Sequence, residues 1–361
     1  MALPNEKDPQ WAELVKKYLA STRGERNELA KGFGFKSRNN FQTGMARRGI
    51  YLPASSHNPN PEYQPGAPLP EPEPIILPIP KIELRSPPVQ EEREKDEDQV
   101  LLLSDTQFGL KTKSFGKNVA IKRMLRLYTA TCRFADIQRK FCPVNKLNIF
   151  LIGDICHGEL IGKQVMLDEL ELTLDEQKWL AYSELSNFFI NACQWYSEIK
   201  VTCVTGNHGI LGKYFSYASN WNIVVYDMLK VGLTNYPQIE INVIRDDFYA
   251  IQKIQNIRFL ILHGDKIPMY LSLPFYGIDR RSLRWNQSLP PWDVLTMGHF
   301  HSLSYIQPSG IPIMINGTLS SDSRYVAQWV GVKEIAEMWT FFVGEKCITG
   351  WHRIDLQREE G

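Results

Sequence analysis

Apolar and polar positions follow two different periods along this chain. Near the N-terminus, DPQWAELVKKYLA places Trp11, Leu14, Val15 and Leu19 on one side of a helix. In ERNELAKGFGFKSRNNFQTGMARRGI, Ala30 and Gly34 stand four residues apart, Ser37 is an N-cap, and a second short helix follows over about 37 to 48. From residue 99 apolar strands alternate with helices. Strand 99 to 104 precedes a basic helix over about 117 to 140, with Ile121, Leu125, Tyr128, Cys132 and Ala135 on its inward face. Strand KLNIFLIG, a helix near 175 to 198 with Leu185, Phe189, Ala192 and Tyr196 inward, and strand KVTCVTG complete the alternation. That order predicts a βαβ sheet and an α/β fold class. Beyond residue 239 the strands crowd together (IEINVI, FYAIQKI, IRFLILHG, WDVLTMG, IPIMING and EMWTFFVGEKCITGWHRI), so a mixed sheet or two packed sheets is expected.

Composition refines this division. Twelve of the 22 prolines lie between Pro53 and Pro88, before the charged run EEREKDED. Proline removes backbone donors, so residues 52–98 read as a semi-extended linker between a basic module, 1–51, and a larger domain, 99–361. Residues 1–51 carry ten Lys/Arg against five acids, an excess of +5 in a chain of net charge +1. The module resembles a helix-turn-helix whose second helix would turn Lys36, Arg38, Asn39, Asn40 and Gln42 toward a DNA groove. A small basic three-helix module that binds protein is the other reading. The six cysteines are scattered, without a C-x-x-C pair, and are expected to be reduced thiols in a cytoplasmic protein. No apolar run approaches the length of a membrane span, so no membrane partner is expected.

The chemistry gathers at strand ends. Asp105 stands in SDTQFG, Asp154 in LIGDICHG, Asn207 and His208 in VTGNHG, His263 in LHGDK, and His299 with His301 in MGHFHS. Each stretch follows an apolar strand and contains or adjoins glycine, which lets the backbone turn and expose a side chain. Five of the seven histidines fall in these stretches, too many for ordinary turns.

In this order, D-x-Q, GD-x-x-H, GNH, H-G and GH-x-H resemble the motifs of the calcineurin-like metallophosphoesterase superfamily, over about residues 99 to 320. SDTQFG and VTGNHG are most similar to its nuclease branch, typified by the DNA-repair exonucleases Mre11 and SbcD, and to related bacteriophage phosphoesterases. The resemblance implies a double-sheet sandwich flanked by helices (α-β-β-α) and two divalent metal ions. The first ion would take Asp105, Gln107, the bridging Asp154 and His301; the second would take Asp154, Asn207, His263 and His299. A shared carboxylate suits two adjacent cations, and a hydroxide held by them would attack phosphorus in line. His208 matches the family's catalytic histidine, which stabilises the transition state or protonates the leaving oxygen.

Gln107 stands where histidine is commoner. Its amide oxygen is a hard, weak donor, which favours Mn²⁺, then Mg²⁺, over Zn²⁺ or Fe. Alternatively, Gln107 hydrogen-bonds backbone and only one metal binds tightly. His157 is expected beside the ligands or substrate, and Cys156 as a small buried residue. In LPFYGIDRRSLRWNQSLPPW, Arg280, Arg281 and Arg284 interleave with Tyr276, Trp285 and Trp292, as phosphate clamps and base-stacking rings would. An exposed connecting loop over a satellite apolar cluster accounts for the segment equally well. The expectation is therefore a metal-dependent phosphodiesterase acting on DNA. Two alternatives are a small-molecule or cyclic-nucleotide phosphodiesterase or phosphatase, and an inactive DNA-binding or scaffolding protein. A homodimer or an ATPase partner is left undecided.

Overall fold

Strand Asp98–Leu103 (β1) reads DQVLLL, and both of its faces are covered. Val100 and Leu102 point into one apolar cluster, Leu101 and Leu103 into another. A strand buried on both sides needs no polar alternation, which is why the central strands look continuously apolar. Strands Lys146–Ile152 (β2), Glu198–Val204 (β3) and Ile239–Val243 (β4) continue the sheet in parallel from β1.

The computed structural model describes residues 95–159, 168–210, 217–269, 274–324 and 333–357, with Lys16, Lys17, Ala20, Glu25 and Ala327 besides. The chain divides into two units, Met1–Pro74 and Ile75–Gly361. Both sheets, the helices packed on them and the site belong to the second. The expected DNA-facing residues Lys36, Arg38, Asn39, Asn40 and Gln42 lie outside the described residues.

The second sheet is built from Tyr249–Ile254 (β5), Ile257–Leu262 (β6), Val294–Met297 (β7), Ser304–Ile306 (β8) and Ile313–Ile315 (β9), in the order β5-β6-β7-β9-β8. Glu337–Val343 (β10) and Ile348–Asp355 (β11) return to the first sheet, whose order is β11-β10-β1-β2-β3-β4. Phe150, Ile152, Phe259, Ile261, Met314 and Phe341 fill the space between the sheets.

Helices cover the outer faces. Lys117–Gln138 (α1), Leu174–Ala192 (α2) and Trp221–Gly232 (α3) lie against the first sheet, and Phe275–Ser288 (α4) against the second. The result is the α-β-β-α sandwich that the resemblance implies. In α2, Thr173 Oγ1 accepts from the Glu176 backbone N–H while Glu176 Oε2 accepts from that of Thr173. This reciprocal capping box sets where the helix starts. Leu185, Phe189 and Ala192 are buried as their spacing predicts, but the helix ends at Ala192, short of the expected 198, and Tyr196 is buried beyond its end.

Helix α1 departs from expectation. Cys132 and Ala135 are buried as expected and Ile121 and Tyr128 half-buried, but Leu125, assigned to the inward face, is 66% exposed. The buried stripe also takes in Ala120, Arg123, Met124, Leu127 and Thr131. The buried face departs from the apolar pattern because it contains buried polar side chains. Arg123 donates to the Leu319 carbonyl (2.7 Å) and Ser321 Oγ (3.0 Å), and Thr131 Oγ1 donates to Leu127 O (2.7 Å). A polar residue with a specific tertiary partner is invisible to hydrophobic periodicity.

Candidate metal centre

Strands β1, β2 and β3 run parallel in one sheet, β6, β7 and β9 in the other. Their carboxyl ends supply the loops carrying Asp105 and Gln107, Asp154, Asn207 and His208, His263, His299 and His301. Ligands of open α/β sheets gather at such ends. This placement at the carboxyl ends of two packed sheets is the one the resemblance implies.

Five of these residues have left-handed backbone: Asp105 (φ 52°), Gln107 (49°), Asp154 (50°), His299 (71°) and His301 (51°). Each costs conformational free energy, so the surroundings must enforce it. Asp105 and Gln107 donate their backbone N–H groups to Gly153 O and Asp154 O, both at 3.1 Å, tying the first two loops together. Thr318 Oγ1 (2.8 Å) and the Leu319 N–H (3.1 Å) both donate to Asp105 O. Asn220 Nδ2 donates to Gly206 O (2.7 Å), and the Ile155 N–H to Asn222 Oδ1 (3.0 Å), so the start of α3 props two further loops. A Cβ on Gly298 would run into Asp105 Oδ2, and one on Gly206 into Asp154 Oδ1.

These loops bring the side chains to one buried place. His263 Nδ1 donates to Ile152 O (2.7 Å), and its Nε2 lies 3.0 Å from both Asp154 Oδ2 and Asn207 Oδ1. Asp154, His263 and His299 offer donor atoms within 4.8 Å of one another. Asp105 Oδ2 accepts from the His299 N–H (3.0 Å), whereas Oδ1, 3.2 Å from His301 Nε2, is buried without a hydrogen bond. His301 Nδ1 donates to Glu334, which also accepts from Ser320 Oγ (3.0 Å) and the Ser323 N–H (3.1 Å).

A cation fits this donor set. With Nδ1–H committed to Ile152 O, neutral His263 turns a lone pair toward two oxygen acceptors, an arrangement that requires a proton or a metal ion between them. Asp105 and Asp154 are almost wholly buried, which carboxylates tolerate only when paired or ligating. Burial opposes ionisation of Asp154, yet His263 and His208 outweigh it and hold that carboxyl well below its ordinary range. Burial likewise disfavours charge on His263, but Asp154 raises it to about 9. His299 moves down to about 4, through burial and then the charge on His263. His301 is buried too, but Asp105 and Glu334 lift it well above an ordinary imidazole.

Gln107 is in place but engaged. Its Oε1 accepts from His157 Nδ1 at 2.9 Å, and its Nε2 is buried without a hydrogen bond. His157 is thus brought against Gln107, as a hydrogen-bond partner of its side chain. His208 Nδ1 donates to the His157 carbonyl (2.7 Å), leaving Nε2 3.8 Å from Asp154 Oδ2.

The arginine-rich segment is not a connecting loop. It forms α4, with Trp285 and Trp292 buried under the second sheet, so these rings pack and do not stack on bases. Arg280 and Arg284 are exposed and Arg281 half-buried. Glu334 and Thr318 were missed by the sequence reading. The polar run NGTLSSDS after β9 signalled the latter, but Glu334 sits in no motif.

No protein-family model matches the chain, and no curated protein does. Similar solved structures include a predicted phosphoesterase from Streptococcus pneumoniae (10% identity, 73% of this chain, 92% of that chain, TM-score 0.34). Others are Vps29 of Entamoeba histolytica complexed with zinc (12%, 72%, 99%, 0.32) and an archaeal phosphodiesterase (13%, 71%, 99%, 0.34). Superposition at these scores is loose, and the centre stands on its own geometry. No helix among the described residues is long and apolar enough to cross a membrane.

Proposed function

We propose that this chain is a metal-dependent phosphodiester hydrolase, with DNA as its favoured substrate. The observation carrying this reading is the buried meeting of Asp154 Oδ2, Asn207 Oδ1 and His263 Nε2 at 3.0 Å, with Asp105 Oδ1 left without a hydrogen bond nearby. Asp105, Gln107, Asp154 and His301 would hold one divalent ion; Asp154, Asn207, His263 and His299 would hold the other. Such ions, when bound, supply Lewis acidity toward phosphoryl oxygens and lower the pKa of bound water.

The chain's own groups supply orientation and a proton. His157 fixes the His208 ring by accepting from Nδ1 through its carbonyl, so Nε2 is the nitrogen able to carry a proton toward the leaving oxygen or to donate to a phosphoryl oxygen. The Asp154 carboxylate is held ionised, and its Oδ1 accepts from the His208 N–H at 2.8 Å. Deprotonated carboxylates and an oriented imidazole are what in-line attack on a phosphodiester requires around the metals. DNA as substrate is supported by the nuclease-like motifs SDTQFG and VTGNHG and by the basic N-terminal stretch.

The test is cleavage of end-labelled single- and double-stranded DNA by metal-stripped protein with Mn²⁺, Mg²⁺ or Zn²⁺ restored, with bis-nitrophenyl phosphate alongside. Metal-dependent DNA cleavage that is lost in His208→Ala establishes the reading. Hydrolysis of the small diester alone makes the protein a small-molecule phosphodiesterase, and no hydrolysis of either makes it a binding protein.

A further inference from the structure

Beside the centre lies a cleft of about 810 Å³ whose described walls include Lys111, Lys113, Arg324, Lys333 and Glu334. Two features join it to the metal ligands. Lys111 and Lys113 lie four and six residues beyond Gln107 on the same loop, and Glu334 is the carboxylate that holds His301.

The cleft contains as many acids as bases, but they are not equally available. Glu334 is spent on His301, Ser320 and Ser323. Glu169 accepts from Ser323 Oγ (3.3 Å), and its Oε1 from the Arg324 N–H (3.1 Å) and Nε (3.3 Å). Asp322 accepts from Ser114 Oγ at 2.6 Å, and Asp168 also has a partner. Lys111, Lys113 and Lys333 are exposed, and among the described residues no carboxylate lies within ion-pair distance of them. Glu334 and Glu169 are thus offset by His301 and Arg324, while Asp168 and Asp322 stay anionic, so the three exposed ammonium groups outnumber these two carboxylates.

Ammonium groups spread over two chain segments suit a backbone of repeated phosphates. Resting on the phosphodiesterase reading, we propose that this cleft is the track for a nucleic-acid strand. Lys111, Lys113 and Lys333 would contact phosphates flanking the one at the metal centre, without reading base sequence.

The experiment uses the full chain and its Lys111→Glu/Lys113→Glu/Lys333→Glu variant, with Lys→Arg at the same positions as the charge-preserving control. Metal-free binding of a fluorescent oligonucleotide is titrated across salt concentrations, and kcat/KM is measured for an oligonucleotide and for bis-nitrophenyl phosphate. The track predicts that charge reversal weakens oligonucleotide binding at least tenfold. It also flattens the slope of log K against log salt by about two, from roughly 0.7 per single-strand phosphate contact. The ratio of oligonucleotide to small-diester kcat/KM falls at least tenfold, and the arginine variant restores it. An unchanged slope and ratio overturn the track while leaving the hydrolase standing. Lysine-dependent binding by a protein that hydrolyses neither compound sustains the track and sinks the hydrolase.

Discussion

Gln107 Oε1 accepts a hydrogen bond from His157 Nδ1 at 2.9 Å, so the unusual amide is positioned by a neighbouring imidazole. The same histidine, through its backbone carbonyl, fixes the ring of His208. One residue thereby orients both a candidate ligand and the candidate proton donor. Rotating the Gln107 amide by half a turn would exchange its two ends: Nε2–H would donate to a neutral His157 Nδ1, and the oxygen would take the position now held by the unpartnered Nε2.

Replacing His157 with Ala should therefore weaken Mn²⁺ binding at the Gln107 site by about tenfold, the lower end of what loss of a ligand-orienting hydrogen bond costs. Titration calorimetry of metal-stripped protein would show it as one weakened site beside one preserved. Two unaltered sites would mean that His157 does not position the amide.

Gln107→His should move metal preference from Mn²⁺ toward Zn²⁺, since imidazole nitrogen is a softer and stronger donor than an amide oxygen. Competition between the two ions, followed by the Mn²⁺ electron paramagnetic resonance signal, reads this directly. An unchanged preference would exclude Gln107 from the ligand set.

Glu334→Gln removes the carboxylate behind His301 while keeping shape. Metal affinity should drop about 10- to 100-fold, as it does when a buried partner of a ligating histidine is lost. Chelator competition measures it. Equal affinity in the variant would make Glu334 a structural residue only.

Metal affinity should rise with pH. In the metal-free centre Asp154 keeps His263 protonated up to about 9, so below that pH a metal must displace the proton from Nε2, and apparent affinity climbs by up to about tenfold per pH unit per proton released. Above 9 this contribution levels off. Calorimetry in buffers of different ionisation enthalpy would report the protons; none released at pH 7.5 would contradict the assignment.

Thiol chemistry checks the fold independently. Cys132, Cys142, Cys156, Cys193 and Cys203 are buried and Cys347 exposed, and burial pushes the Cys156 thiol up to about 12. Native protein should therefore react with iodoacetamide at Cys347 alone, and at all six after denaturation. Rapid native labelling of Cys156, read by peptide mass, would show that the GD-x-x-H loop is open.

Sequence by itself determined the succession of strands and helices along the chain and the identity of the ligand-bearing strand ends. These are local properties: an apolar run ending in glycine and a carboxylate or imidazole carries its meaning within six or seven residues. Only the tertiary structure decided how far the buried face of α1 extends, because Arg123 finds partners there, the Leu319 carbonyl and Ser321 Oγ, that periodicity does not reveal. It alone made the arginine segment a helix, by giving Trp285 and Trp292 an apolar bed under the second sheet. It also brought Glu334 to His301 across 33 residues of chain. Likewise it offset Glu334 and Glu169 of the neighbouring cleft with His301 and Arg324 and left the lysines exposed. Hydrogen bonds between residues distant in sequence leave no periodic trace, so the ligands were legible and the groups that hold and surround them were not.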